Sequence, residues 1–224
     1  MSALLLIGIT PGRAKPGTAP VHHRIEGPGW TALALEVDPD AAAHEDTALA
    51  WAAEQNQVLS AYVQAVDVLP VPMGAVFSDA TSLTAHATTA WPQWSTALKG
   101  IQGACEFVLR AEADDMRPQP DPAANGTTYL RQRLTARNDR ATLHHRRNTF
   151  LCTLATMANR HATATRRRPG GLLCMTLLVR RTASDALITN LSGHASEARA
   201  LGLSCTLIGP SPAYSFTEQE VACA

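Results

Sequence analysis

Apolar and polar positions along this chain change period several times, and each change marks an element. Ala3 to Ile9 is a continuous apolar run closed by Thr10-Pro11-Gly12, the pattern of a short buried strand. Pro11 to Gly29 is rich in proline and glycine and predicts a loop, with a short strand at His22 to Ile25. Trp30 to Val37, WTALALEV, predicts a second strand, and Asp38-Pro39-Asp40 supplies helix-start chemistry for a helix over Ala41 to Val66. Its apolar stripe reads Leu49, Ala52, Ala53, Leu59, Tyr62 and Val63. Asp67 to Phe77, DVLPVPMGAVF, is apolar but punctuated by Pro70, Pro72 and Gly74, so it predicts a loop feeding a short strand at Gly74 to Phe77. Ser78 or Asp79 caps a helix from Ala80 to Lys99, interrupted or begun late at Trp91-Pro92. From Gly103 to Ala111, Cys105, Phe107 and Leu109 alternate against Glu106, Val108 and Arg110, the period of a half-buried strand.

Asp114 to Gly126, DDMRPQPDPAANG, holds three prolines and several turn-formers and is the natural boundary between two domains. Beyond it the pattern predicts a long helix from Thr127 to Arg160, frayed near Asn148, and a strand from Gly171 to Arg181. A helix capped by Thr182 or Ser184 then runs to Ala200, and a last strand covers Leu203 to Ile208. The expected organisation is α+β: residues 1–113, a linker at 114–126, and residues 127–224 with a tail rich in proline and aromatics. Each unit is expected to be an antiparallel sheet with helices on one face.

At 224 residues the length fits one or two domains. With 46% hydrophobic and 17% charged residues, the chain can fill real cores and leaves a less polar surface than usual. The formal net charge is zero, which gives little colloidal repulsion and suits a protein that works in an assembly. Five scattered cysteines, never spaced as C-x-x-C, suggest neither a disulfide framework nor a zinc knuckle but reduced thiols in a cytosol. The opening MSALLLIGIT has no basic region and no cleavage site, so it is read as a strand rather than a signal peptide. No window reaches the roughly 18 apolar residues of a membrane span.

Candidate chemistry is thin. Ten arginines and one acid, Asp139, lie between residues 131 and 168. That imbalance suits an acidic protein surface or a nucleic acid, or else is a solvated helix face followed by a flexible Arg166-Arg167-Arg168 run. The absence of interleaved aromatics, lysines and reader motifs argues against nucleic acid. The pairs His22-His23 and His144-His145 have no completing ligand, and adjacent helical positions point about 100° apart, so no metal site is expected. No nucleophile elbow, phosphate loop or dinucleotide fingerprint is present, and Ser192-Gly193-His194 lacks an orienting acid nearby, so no catalytic residue is assigned. Trp51 falls to the core, while Trp91 and Trp94 either pack on the sheet or form a docking ring. Near the end LIGPSPAYSF, residues Leu207 to Phe216, stops a strand at Gly209-Pro210 and presents two aromatics on a stiff segment.

Several of these stretches occur together in one known order. VLPVPMGAVFSD, Val68 to Asp79, matches a pattern like VLPVRFGTVFxD, and ALKGIQGACEFVLRAE, Ala97 to Glu112, matches one like ALxRLxGKVEWGVKVY. GTTYLRQR, Gly126 to Arg133, fits GxxYLxxR, and LIGPSPAYSF fits LTGPWPPYSF. On these pieces the chain resembles the gas vesicle GvpL/GvpF family, accessory proteins of the gas-filled protein vesicles that give some prokaryotes buoyancy. Retained positions are Leu69, Pro70, Gly74, Val76, Phe77, Tyr129, Leu130, Arg133, Gly209, Pro210, Pro212, Tyr214 and Phe216. Pro72 and Met73 stand where the pattern has Arg-Phe, Phe107 replaces Trp, and Ser211 replaces Trp, so contacts made by those family residues do not carry over.

The resemblance implies two domains, an N-terminal ferredoxin-like antiparallel sheet and a C-terminal α/β domain with a long helix. It implies an accessory role in gas vesicle assembly, without enzyme chemistry or cofactor, and the expected function is a chaperone or nucleation factor that binds the shell subunit. The partners it implies are the small hydrophobic shell subunit GvpA and other accessory Gvp proteins, and the expected place is the cytoplasm, in association with gas vesicles. No nucleic acid, membrane or small-molecule substrate is expected. Expected contact residues are Leu69, Pro70, Gly74, Val76 and Phe77 for the shell subunit, the alternative being that this segment merely packs between the domains. Arg133, Arg137 and Arg140 belong to an alternative in which a basic helix recruits other accessory proteins. Tyr214 and Phe216 either clamp the tail on its own domain or dock on a partner. A third reading is a small-molecule enzyme or ligand sensor.

Overall fold

The computed structural model describes residues 2–12, 22–43, 45–114 and 126–217. In chain order the elements are β1 (Ala3–Pro11), β2 (His23–Gly27), β3 (Trp30–Val37), α1 (Glu45–Val63), β4 (Leu69–Pro70), β5 (Val76–Phe77), α2 (Ala80–Gly100) and β6 (Ala104–Ala113). They continue as α3 (Gly126–His161), β7 (Ala162–Arg167), β8 (Leu173–Arg180), α4 (Ser184–Ser192), α5 (Ala195–Ala200) and β9 (Leu203–Ser211). The class is α+β with two sheets, one ordered β2-β3-β1-β4 with β5 also on β1, the other β7-β8-β6-β9.

The chain divides into two compact units, Met1–Phe107 with Leu178–Thr182 and Ile208–Ala224, and Val108–Leu177 with Ala183–Leu207. Neither unit is contiguous, in contrast to the 1–113 and 127–224 partition drawn from composition, because β6, β8 and β9 each contribute residues to both. Residues 115–125 of the expected linker fall outside the described residues.

In the first unit β1 pairs antiparallel with β3 from Ala3 to Pro11, with a shift of register between Leu6 and Gly8 that leaves Ile7 as the extra residue. Leu5, Leu6, Ile7 and Ile9 are all buried, so both faces of β1 are covered, as its unbroken apolar run demands. The β2–β3 hairpin turns on Pro28-Gly29, where Gly29 has φ +84 and supplies the positive angle that a proline-led type II turn needs at its third position. The ring of buried Trp30 lies where a Cβ on Gly27 would be, 2.2 Å away, so the tight hairpin and the buried indole require glycine there.

Helices α1 and α2 pack against β1. The buried stripe of α1 is Gln55, Val58, Leu59, Tyr62 and Val63, a strict helical spacing whose first member is polar. This corrects the expected stripe: Leu49 is 63% exposed, and Ala52 and Ala53 are exposed, since the turns that carry them precede the packed part of the helix. α2 starts at a capping box in which Ser82 N donates to Asp79 Oδ1 at 2.8 Å and Asp79 N donates to Ser82 Oγ at 3.4 Å. The expected interruption at Pro92 does not occur. Pro92 and Thr88, the residue whose carbonyl loses its donor, both lie on the exposed face of the helix.

Asp67 fastens the end of the loop after α1. Its Oδ1 accepts from Arg181 Nη2 at 2.6 Å and from Gly103 N at 2.8 Å, while Arg181 Nη1 reaches the carbonyls of Val63, Val66 and Ala104 at 3.3 to 3.4 Å. One guanidinium thus closes several half-buried acceptors at once.

In the second unit the carboxy-terminal half of α3 buries Phe150, Leu151, Leu154, Ala155 and Ala158. No fraying occurs at Asn148, which lies inside one continuous helix. The single helix expected from Thr182 to Ala200 is two, α4 and α5, with Gly193 and His194 between them. Arg147 Nε and Nη2 donate to the carbonyls of Leu201 and Gly202 at 2.7 and 3.0 Å, satisfying the end of α5. Strand β7, ATATRR, was not expected, because its arginines mask a short alternation of half-buried and exposed positions from Ala162 to Thr165. β9 also continues through Gly209-Pro210 to Ser211 rather than ending at Ile208.

Asp67→Ala strips the Arg181 guanidinium and the Gly103 amide of their shared acceptor. The expected loss is about 2 kcal/mol of unfolding free energy in a denaturant titration. Glu112→Ala, on an exposed pair of the same type with Arg110, is expected to lie within about 0.5 kcal/mol of the parent.

Candidate functional site

Among the expected contact residues, Leu69 to Phe77 form one surface feature. β4 pairs with β1 at Ile9↔Leu69 and Gly8↔Pro70, and β5 pairs with it at Leu5↔Val76 and Leu4↔Phe77. Between these two short pairings Val71 to Ala75 arches away from the sheet. Pro70 and Pro72 remove two amide donors, and Gly74 takes φ +113, which a side-chain-bearing residue rarely adopts. The ends of the arch are pinned by Val71 N donating to Ile7 O at 3.0 Å and Leu6 N donating to Ala75 O at 2.9 Å.

Buried Gln55 holds the arch from below. Its Nε2 donates to Ile7 O at 3.1 Å and to Val71 O at 2.9 Å, joining the central strand and the arch through one amide. The placement of the expected residues follows from this. Leu69 and Pro70 are buried and Phe77 is half-buried, whereas Gly74 and Val76 are exposed, as is Met73. Phe77 touches His86 with ring centroids 5.1 Å apart, and His86 touches Trp94 at 5.6 Å. The arch thus leaves Pro72 and Met73 exposed, with Val76 exposed just beyond it, while the next strand residue, Phe77, turns to the other face and packs toward His86 and Trp94 of α2.

The tail forms a second feature of the same unit. Gly209 has φ +137, and a Cβ there would lie 2.7 Å from both Glu106 O and Phe107 Cδ1, so only glycine lets β9 pass this close to β6. Beyond it, Ser211 Oγ donates to Glu106 O at 3.1 Å. The Glu106 side chain is 5% exposed, and its two oxygens accept from Ser215 N and Ser215 Oγ, each at 2.7 Å. Donors to an ionised carboxylate make the stronger kind of hydrogen bond, so one acid folds Tyr214–Phe216 into a 3-10 turn against the strand. Ala213 and Ser215 are buried, Phe216 is half-buried, and Tyr214 keeps 38% of its surface exposed. Burial, and then the neighbouring Glu106 charge, push the Tyr214 hydroxyl up to about 12.

Arg133, Arg137 and Arg140 lie apart from both features, exposed on the amino-terminal half of α3, with the Arg133 guanidinium 5.6 Å from the Tyr129 ring centroid. Sequence reasoning missed Gln55, Glu106 and Ser215. For Gln55 a signal existed, since it opens the strict helical stripe; for Glu106 the alternation placed it on the outer face, and nothing local signalled that a serine far along the chain would cover it. Among the described residues no group of three His, Cys, Asp or Glu side chains is placed to hold a metal ion, and no helix is long and apolar enough to cross a membrane. The surface hollows along α3, around Cys152 and around Ala136, are each lined by that one helix alone.

Glu106→Gln replaces an acceptor by an amide N–H₂ group facing Ser215, and Ser215→Ala removes one of the two donors. Each is expected to cost about 1 to 3 kcal/mol and to speed proteolytic trimming of the tail. The folded value of Tyr214 lies above the ordinary 10. The stability it carries is thus complete below about pH 10 and is lost as pH rises toward 12. Tyr214→Phe should remove one late step from the tyrosinate absorbance titration and flatten that part of the stability curve. The other raised hydroxyl, on buried Tyr62, stays.

The fold has solved counterparts. The crystal structure of gas vesicle protein GvpF from Anabaena sp. PCC7120 matches with a TM-score of 0.68 at 14% identity, over 98% of this chain and 97% of that one. GvpF from Microcystis aeruginosa matches with a TM-score of 0.69 at 14% identity, over 97% of this chain and 99% of that one. At such identity the likeness establishes the fold alone. No curated protein matches the sequence. The family described as gas vesicle synthesis protein GvpL/GvpF matches residues 10–218, a span that contains every helix and strand except most of β1. On that match the chain belongs to the GvpL/GvpF family.

Proposed function

We propose that this protein is a non-enzymatic assembly factor of gas vesicles that holds the small hydrophobic shell subunit, GvpA, ready for polymerisation. A subunit destined to wall off gas carries an apolar surface that aggregates in water before assembly. A factor that covers this surface transiently prevents that loss without making or breaking a bond. On this reading the factor works in the cytoplasm, at the growing vesicle.

The observation that carries the reading is the arch over Val71 to Ala75. Exposed Met73 and Val76 stand at 41% and 38% on a segment that prolines and Gln55 hold in shape. Methionine adapts to irregular apolar partners, and a preformed loop loses little entropy on binding. Leu69 and Pro70 serve by fixing the arch, and Gly74 by turning it. The tail residues Tyr214 and Phe216 support the same unit from β9.

The double variant Met73→Asp, Val76→Asp places two charges on this surface at exposed sites, so its melting temperature should stay within about 2 °C of the parent. Co-purification of co-expressed GvpA is expected to fall by about tenfold or more. Undiminished co-purification of GvpA with a folded double variant overturns the assignment of this surface.

A further inference from the structure

The amino-terminal half of α3 is a helix that buries almost nothing of itself. From residue 126 to 146 every position is exposed except half-buried Thr128 and Leu143, although the same helix is packed from Phe150 onward. Helices in folded proteins draw most of their stability from packing one amphipathic face. Here Leu130 and Leu134 are 66% and 61% exposed.

These side chains are patterned. Leu130, Leu134, Arg137 and Ala141 follow the four-three-four spacing of a heptad seam. Arg133 and Arg140, one heptad apart, flank the seam on one side, and Arg131 flanks it on the other. Asp139, the single acid of α3 against seven arginines, falls on the opposite face. No described acid pairs with Arg131, Arg137 or Arg140, and the first turn of the helix carries no acid. Arg147, by contrast, is spent on the carbonyls that end α5.

We infer that residues 126–146 form a docking arm for an acidic amphipathic helix of a partner protein. Its apolar seam covers Leu130, Leu134 and Ala141, and its flanking carboxylates pair with Arg131, Arg133 and Arg140. Guanidinium forks suit carboxylates, and a two-leucine seam between them gives a helix register. A phosphate backbone has no use for that seam, and lysines, which serve such backbones equally well, are absent from α3. The arm is a different surface from the arch proposed for GvpA, and the two readings stand or fall separately.

The test uses the full chain and a fluorescent designed peptide of about 21 residues, long enough for six helical turns. The peptide carries leucine at the seam positions and glutamate at the flanks; a lysine-for-glutamate twin and a labelled DNA duplex of similar length are the competitors. The glutamate peptide is expected to bind at least about tenfold tighter than its twin, and more weakly as salt rises from about 0.05 to 0.5 M. R133E/R140E and L130A/L134A should each weaken it by about tenfold or more. Alanine keeps the arm helical, and circular dichroism checks that both variants remain folded. The inference is overturned by failure of the glutamate peptide to bind, by indifference to L130A/L134A, or by tighter binding of the duplex.

Discussion

The carbonyl of Ile7 sits at the centre of the first unit's sheet, and its satisfaction organises what surrounds it. A central strand cannot leave its backbone acceptors bare, yet the chain that should cover this edge of β1 is broken by prolines. The edge is closed in pieces instead: β4 at one end, β5 at the other, and Val71 N with Gln55 Nε2 on Ile7 between them. Because the Gln55 amide also holds Val71 O, the repair of β1 and the shape of the exposed arch are one interaction. The exposed arch is therefore held in shape for a reason internal to the sheet.

The tail follows the same logic with a different group. A carboxylate inside a strand would be costly in isolation, but Glu106 receives both donors of Ser215 and makes the buried acid a folding instruction for the residues that follow Pro212. The rings of Tyr214 and Phe216 are positioned by this acid. Polar atoms thus decide where two apolar features are displayed.

Much of this was legible from residue pattern. Trp30 to Val37 is a strand over the predicted span, Asp79 caps α2 as its chemistry requires, and the long helix differs from expectation by one residue at each end. The α1 stripe was misplaced because a buried glutamine reads as surface; β7 was missed because arginines on an edge strand read as a solvated run. Strand β9 was cut short because Gly209-Pro210 reads as a stop, although its glycine is there to let the strand pass Phe107. Each error concerns a residue whose partner lies far away in the chain, where local periodicity carries no information. The same limit applies to the arch: prolines predicted a break in the ladder, but which of its side chains face out was set by the pairing with β1.

The long reach between Asp67 and Arg181 also bears on how the protein is made. Those two residues are 114 positions apart, and the donors for Glu106 come 109 positions after it. A ribosome adding about 5 to 20 residues each second needs roughly 5 to 25 seconds to bridge such gaps. For those intervals Asp67 waits without its guanidinium and Glu106 without its serine, so residues from the first half of the chain are locked only when its last quarter has emerged.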